Sequence, residues 1–186
     1  MNTFHKAVVA SVTALSIGAA GLALAANPMV GGGEMFPEKN IIENAVNSKD
    51  HTTLVAAVKA AGLVETLQGN GPFTVFAPTN EAFAALPAGT VENLLKPENK
   101  DMLVKILTCH VLGAEAFSKD VMKMVDADKG MHPVKTLGGC TLTAMYEGGK
   151  VMLKDENGTI ATVTIADVDQ SNGVIHVIDK VLLPKM

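Results

Sequence analysis

The sequence predicts an α+β domain with helices gathered in its first half and strands in its second, and three observations predict it. Between residues 40 and 108 apolar side chains recur at helical spacing behind capping signals. After His110, short runs rich in Val, Thr and Ile are separated by the turn signals Gly148-Gly149, Asp155-Glu156-Asn157-Gly158 and Asn172-Gly173. Residues 174–182 are apolar at both alternating sets of positions, the pattern of a strand covered on both faces and therefore placed at the centre of a fold. Helices in one block and strands in the next give a segregated architecture rather than a parallel α/β sheet.

Each element has its own local reason. Asn40 and Glu43 stand three apart ahead of Ile41, Ile42, Ala45 and Val46, which reads as a capping box before one apolar helix face. Residues 52–61 repeat the pattern with Leu54, Val55 and Val58, and Gly62 is the expected stop. Residues 74–83 (TVFAPTNEAF) form a short apolar strand that turns at Pro78 and enters a helix at Thr79 or Asn80, whose side chains suit the cap. Residues 90–95 and 97–107 read as two more helices. Strands are expected near residues 109–112, 134–137, 140–146, 150–154, 159–165 and 174–182, with Thr141, Thr143, Thr162 and Thr164 marking a wet face. No internal repeat is visible.

Residues 1–25 read as a secretory signal: Lys6 gives the positive start, residues 7–20 the apolar stretch and Ala23-Leu24-Ala25 the cleavage site. Ser11, Thr13, Ser16 and Gly18 interrupt that stretch, which is too short to span a bilayer comfortably. No cysteine lies near the site to carry a lipid. Residues 26–39, with Gly31-Gly32-Gly33 and two prolines, have the composition of a flexible leader, and residues 40–184 are left as a single domain. The expected product is secreted or periplasmic, with no membrane span in the mature chain. Its charge of -4, its lack of arginine and tryptophan and its single tyrosine, Tyr146, remove the forks and aromatic platforms that nucleic-acid recognition uses.

Catalytic motifs are missing as well: there is no Gly-x-Ser-x-Gly elbow, phosphate loop or dinucleotide fingerprint. His51, His110, His132 and His176 show no metal-ligand spacing, and no Cys-x-x-Cys occurs. No enzyme, cofactor or zinc site is expected. Ser171 reads as a turn residue, and Asp155 and Glu156 as a solvated hairpin tip. Asn157-Gly158-Thr159 matches a glycosylation acceptor but reads as a turn.

Residues 74–83 and 172–184 (NGVIHVIDKVLLP) resemble the two signature motifs of the fasciclin domain, and Leu107-Thr108-Cys109-His110-Val111 is similar to the family's tyrosine-histidine motif. The resemblance spans residues 40–184. It implies a wedge of two small packed β-sheets with several helices along one edge, as in small secreted single-domain bacterial fasciclin proteins. It also implies a non-catalytic role in cell adhesion or in association with a cell surface or extracellular matrix, the partner being a protein or polysaccharide. Thr79, Asn80, His110, Asn172, Gly173 and His176 match motif positions. Asp167 and Val168 fall where animal members carry an Asp-Ile pair credited with receptor binding, so these two and His110 are the candidate interaction residues. Cys109 replaces the family's tyrosine, so that residue's adhesive role does not transfer.

Each candidate also has a structural reading. Asp167 can cap or kink a loop above a packed Val168. His110 can be a core imidazole bonded to backbone or to the Thr79-Asn80 turn, and His176 another satisfied core imidazole. Cys109 and Cys140 are the only two cysteines, both on predicted strands, and export favours their pairing over two buried thiols. Ten methionines, nine of them beyond Met1, against six phenylalanines support a second function, copper(I) binding by Met122, Met124, Met131 and His132. The other account is that methionine fills core gaps; on a strand Met122 and Met124 share a face, on a helix they diverge. A small-ligand carrier would need a sizeable apolar pocket.

Overall fold

The computed structural model describes residues 27–185 of the 186, so the expected signal segment, residues 1–25, lies outside the described residues. The described residues begin with a small hairpin, β1 (Met29–Val30) and β2 (Gly33–Glu34). Three helices follow: α1 (Ile41–Ala45), α2 (Thr52–Ala61) and α3 (Val64–Gln68). Strand β3 (Phe73–Pro78) leads into α4 (Asn80–Ala84), α5 (Thr90–Leu94) and α6 (Lys100–Thr108). After β4 (Val111–Leu112) and α7 (Ser118–Ala127) come β5 (Met131–Lys135), β6 (Thr141–Glu147), β7 (Lys150–Lys154), β8 (Ile160–Gln170) and β9 (Gly173–Ile178).

The last seven strands share one hydrogen-bonded order, β4-β3-β9-β8-β7-β6-β5. The two small sheets implied by the resemblance are therefore continuous through β8. That strand pairs with β7 at Ile160–Thr162 and with β9 from Val163 onward, with register shifts between Val163, Ile165 and Val168. Bulges of this kind bend and twist a strand, which lets one strand serve two differently oriented halves. The β3–β9 pair is parallel and the rest are antiparallel.

Two apolar clusters lie on opposite sides of β3 and β9. Val75, Ala77, Ile175 and Val177 face the helical core with Leu54, Val58 and Ile106. Phe76 and Ile178 face a second core with Val121, Val125, Leu142 and Leu153. All six residues of β9 are buried, as its two-sided apolar pattern requires.

Local signals set several boundaries. Asn40 accepts from Ile42 N and Glu43 N while Glu43 returns a bond to Asn40 N, completing the capping box. Gly62 ends α2 in the left-handed conformation, φ 74°.

Other boundaries differ from expectation. Residues 109 and 110 are not on a strand: α6 runs to Thr108, Cys109 N donates to Lys105 O and His110 N to Leu107 O, because the spacing of Leu103, Ile106 and Leu107 carries the helix on. Cys140 also lies just outside its strand, before β6. Strand β5 starts three residues early, β8 continues through its bulges to Gln170, and β9 stops at Ile178. Residues 27–39, read from composition as a flexible leader, fold against the domain: Val30 and Met35 are buried and Lys49 N donates to Gly31 O.

Candidate functional site

The two signature segments lie side by side. Phe73 pairs with Gly173, and the register holds through Pro78 and Ile178. Gly173 has φ 151°, and a side chain there would collide with the Phe73 carbonyl, so glycine permits the close approach with which the pair begins. At the far end Thr79 N donates to Ile178 O and Thr79 Oγ1 accepts from Ala82 N, capping α4. Asn80 reaches the other way: its Oδ1 accepts from Thr53 N and Thr52 Oγ1, and its Nδ2 donates to Lys49 O, fastening the start of α2.

Asn172 is the corresponding tie at the opposite end. Its Nδ2 donates to Leu67 O (2.8 Å) and Gly69 O (2.9 Å), and its Oδ1 accepts from Ile41 N (3.0 Å). One side chain thus joins α1, the end of α3 and the turn into β9.

Both motif histidines are structural. His110 Nδ1 donates to Ile106 O (2.8 Å) and its Nε2 accepts from Leu182 N (2.9 Å), so backbone rather than the Thr79-Asn80 turn satisfies it. His176 holds the other tautomer: Nε2 donates to Ala116 O (2.8 Å), Nδ1 accepts from Asp167 N (3.2 Å), and the ring stacks on Phe76. Burial drives the pKa of His110 down to about 4, with the Ile106 carbonyl and Asp155 opposing weakly. Burial likewise lowers that of His176 against the Ala116 carbonyl and Asp167. Two neutral imidazoles with both nitrogens occupied by backbone have no free atom with which to move a proton.

Asp167 and Val168 are bound into the fold. Asp167 adopts φ 59°, and its carboxylate accepts from Ser118 N (2.6 Å) and the Ser118 hydroxyl, supplying the N-terminal cap that α7 lacks locally. Val168 is fully buried in the helical core. Their contacts give the capping role to Asp167 and the packing role to Val168.

Cys109 and Cys140 form a disulfide with Cα atoms 5.4 Å apart. It joins the C-terminal end of α6 to the start of β6. The copper candidates are spread out. Met122 and Met124 sit on α7, about 200° apart around the axis, and pack on the second core. Met131 is exposed on β5, and His132 Nδ1 contacts the Asp128 carboxylate at 2.7 Å.

Three polar anchors were not signalled by the sequence. Asn44, fully buried, donates to Phe36 O and Gln170 Oε1 and accepts from Phe36 N. Thr74 Oγ1 donates to Ala114 O and accepts from Ala116 N. Asp155 is not a solvated tip: it is buried and accepts from Asn157 N, Thr159 N and Leu183 N, while Asn157 Nδ2 donates to Leu183 O and Pro184 O. The expected turn is a clasp on the C-terminal segment. Only Asp155 and Asn157 in a tight turn hint at it.

Comparison with known proteins accords with this geometry. The family model described as Fasciclin domain matches residues 49–184. Protein sll1483 of Synechocystis sp. is 56% identical over 146 residues, 78% of this chain and 74% of that one. Transforming growth factor-beta-induced protein ig-h3 of Sus scrofa is 40% identical over 131 residues, 70% of this chain but 17% of the relative. Among solved structures, a FAS1 domain pair from the insect cell adhesion molecule fasciclin I superposes with a TM-score of 0.70 at 20% identity, covering 78% of this chain and 51% of that chain.

Proposed function

Because the chain belongs to the fasciclin family, we propose that it is an exported, non-enzymatic interaction module that associates with a protein or polysaccharide on a cell surface or in an extracellular matrix. The observation that carries this reading is the family match over residues 49–184, and the insect cell adhesion molecule fasciclin I shares the fold. The signal-like residues 1–25 and the disulfide support export to an oxidising compartment. The motif histidines support a structural rather than a catalytic core, since each is held neutral by backbone partners.

The partner-facing surface is assigned away from Val168 and His110, which are buried, and from Asp167, whose exposed carboxylate is already engaged by Ser118. The edge strand β5, exposed at Met131, is offered instead. Nothing in the geometry favours the copper(I) reading over core filling by methionine. The test is binding of the purified protein to cells, polysaccharide and envelope material. Saturable binding weakened by Met131→Glu, but not by Asp167→Ala at a temperature where that variant is folded, is the expected result. No binding to any of the three materials would refute the reading.

A further inference from the structure

A cavity of about 60 Å³ lies in the helical half, between α1–α3 and the β3–β9 face. Its wall is almost wholly apolar, with Leu54, Val58, Val75 and Ile175 among its lining, and the hairpin residues Val30 and Met35 close one side. His51 lines the same space and is only 3% exposed. Its Nδ1 contacts Ser48 Oγ at 2.8 Å and the Ala77 backbone approaches the ring, but its buried Nε2 forms no hydrogen bond of full geometry. Among the described residues it is the one buried side-chain polar atom left so.

We propose that this cavity is a binding site for a small neutral amphiphile, the size of a short-chain alcohol, whose hydrocarbon body fills the apolar space and whose hydroxyl bonds His51 Nε2. Buried polar atoms are almost always partnered, so an open one beside a void marks where a ligand group fits. Water alone suits the space poorly, because an ordered water needs two to four polar partners and apolar cavities stay dry. A hydroxyl both donates and accepts, so it satisfies either tautomer of the ring. Burial lowers the His51 pKa, only partly opposed by the Ala77 backbone and by Asp50 and Glu81, so the imidazole is neutral and the ligand it suits is uncharged. The closing hairpin lies ahead of the family-matched residues 49–184. The inference stands independently of the adhesion reading.

The test is an NMR titration of the purified protein with butan-1-ol and, separately, with dissolved xenon as a purely apolar probe. Both should give saturable amide shifts centred on His51, Leu54, Val58 and Val75, and only butan-1-ol should move the His51 Nε2 nitrogen resonance. His51→Leu should weaken butan-1-ol by about five- to tenfold, the worth of one hydrogen bond, and leave xenon binding in place. Val58→Phe, which fills the space, should remove both. Absence of saturable shifts in the unmodified protein, shifts centred elsewhere, or an unchanged butan-1-ol affinity in His51→Leu would each overturn the proposal.

Discussion

At the scale of single residues, this fold rests on polar side chains that bond backbone far away in sequence. Asn172 satisfies Ile41 N, Leu67 O and Gly69 O at once, so Asn172→Ala should destabilise by about 3 kcal/mol, since partly buried groups lose their partners. For a domain of this size that lowers the melting temperature by roughly 6 to 12 °C. An effect no larger than that of removing the half-buried Asn40 cap, about 1 kcal/mol, would deny Asn172 its joining role. His110 gives a pH dependence with a definite sign. The unfolded imidazole protonates near 6.5 and the folded one near 4, so between those values the unfolded chain binds more protons. Its stabilising contribution is full above about pH 6.5 and is lost as pH falls toward 4, by roughly 3 kcal/mol in all. His51 and His176, also lowered by burial, act in the same direction. Urea denaturation at intervals from pH 7 to 4 should show the loss, and a flat profile would contradict the buried neutral ring.

Among the elements, α7 depends on a cap 49 residues away. Asp167→Ala should destabilise the protein by about 1 to 2 kcal/mol, the worth of an N-cap, and hydrogen exchange should quicken first at the amides that open α7. Faster exchange confined to β8, with α7 unchanged, would show that the carboxylate is not the cap. The disulfide works on a larger loop: Cys109 and Cys140 are 31 positions apart, and restraining that loop in the unfolded chain contributes about 3 to 4 kcal/mol in the entropic description. Reduction should lower the urea midpoint accordingly, and an unchanged midpoint would mean the unfolded chain is not restrained by it. The elements also show where local reading works. The capping box at Asn40, the Gly62 stop and the buried pattern of β9 were legible because each is written within a few neighbouring residues. Helix α7 was not, although Val121 and Val125 stand one turn apart, because its cap comes from Asp167. The strand expected at residues 109–112 was shortened because α6 continues through Thr108.

For the molecule as a whole, the N-terminal hairpin is part of the packed unit. Met35 is 2% exposed and lines the cavity wall, so Met35→Ala should destabilise by about 2 to 4 kcal/mol, measurable by urea denaturation. A surface-like change below 0.5 kcal/mol would mean the hairpin docks without carrying load. The two apolar clusters share β3 and β9 as their common wall, which is why the signature segments tolerate so little polar surface and why their few polar atoms are paired. Of the candidate interaction residues, Asp167, Val168 and His110 could be named from the sequence with a capping, a packing and a core reading, but the groups they bond could not. Only the packed chain shows a carboxylate turned onto Ser118, a valine in the core and an imidazole between two backbone groups.

The α+β class, the local helix signals at Asn40, Gly62 and Thr79 and the central placement of the closing strand follow from residue order alone, because periodicity and local capping act over one or two turns of chain. The continuity of the sheet through β8, the Asp155 clasp, the docking of the hairpin and the unpartnered His51 beside its cavity were decided by tertiary structure. Each depends on which distant backbone groups come within hydrogen-bonding or van der Waals range, and local pattern carries no record of that distance.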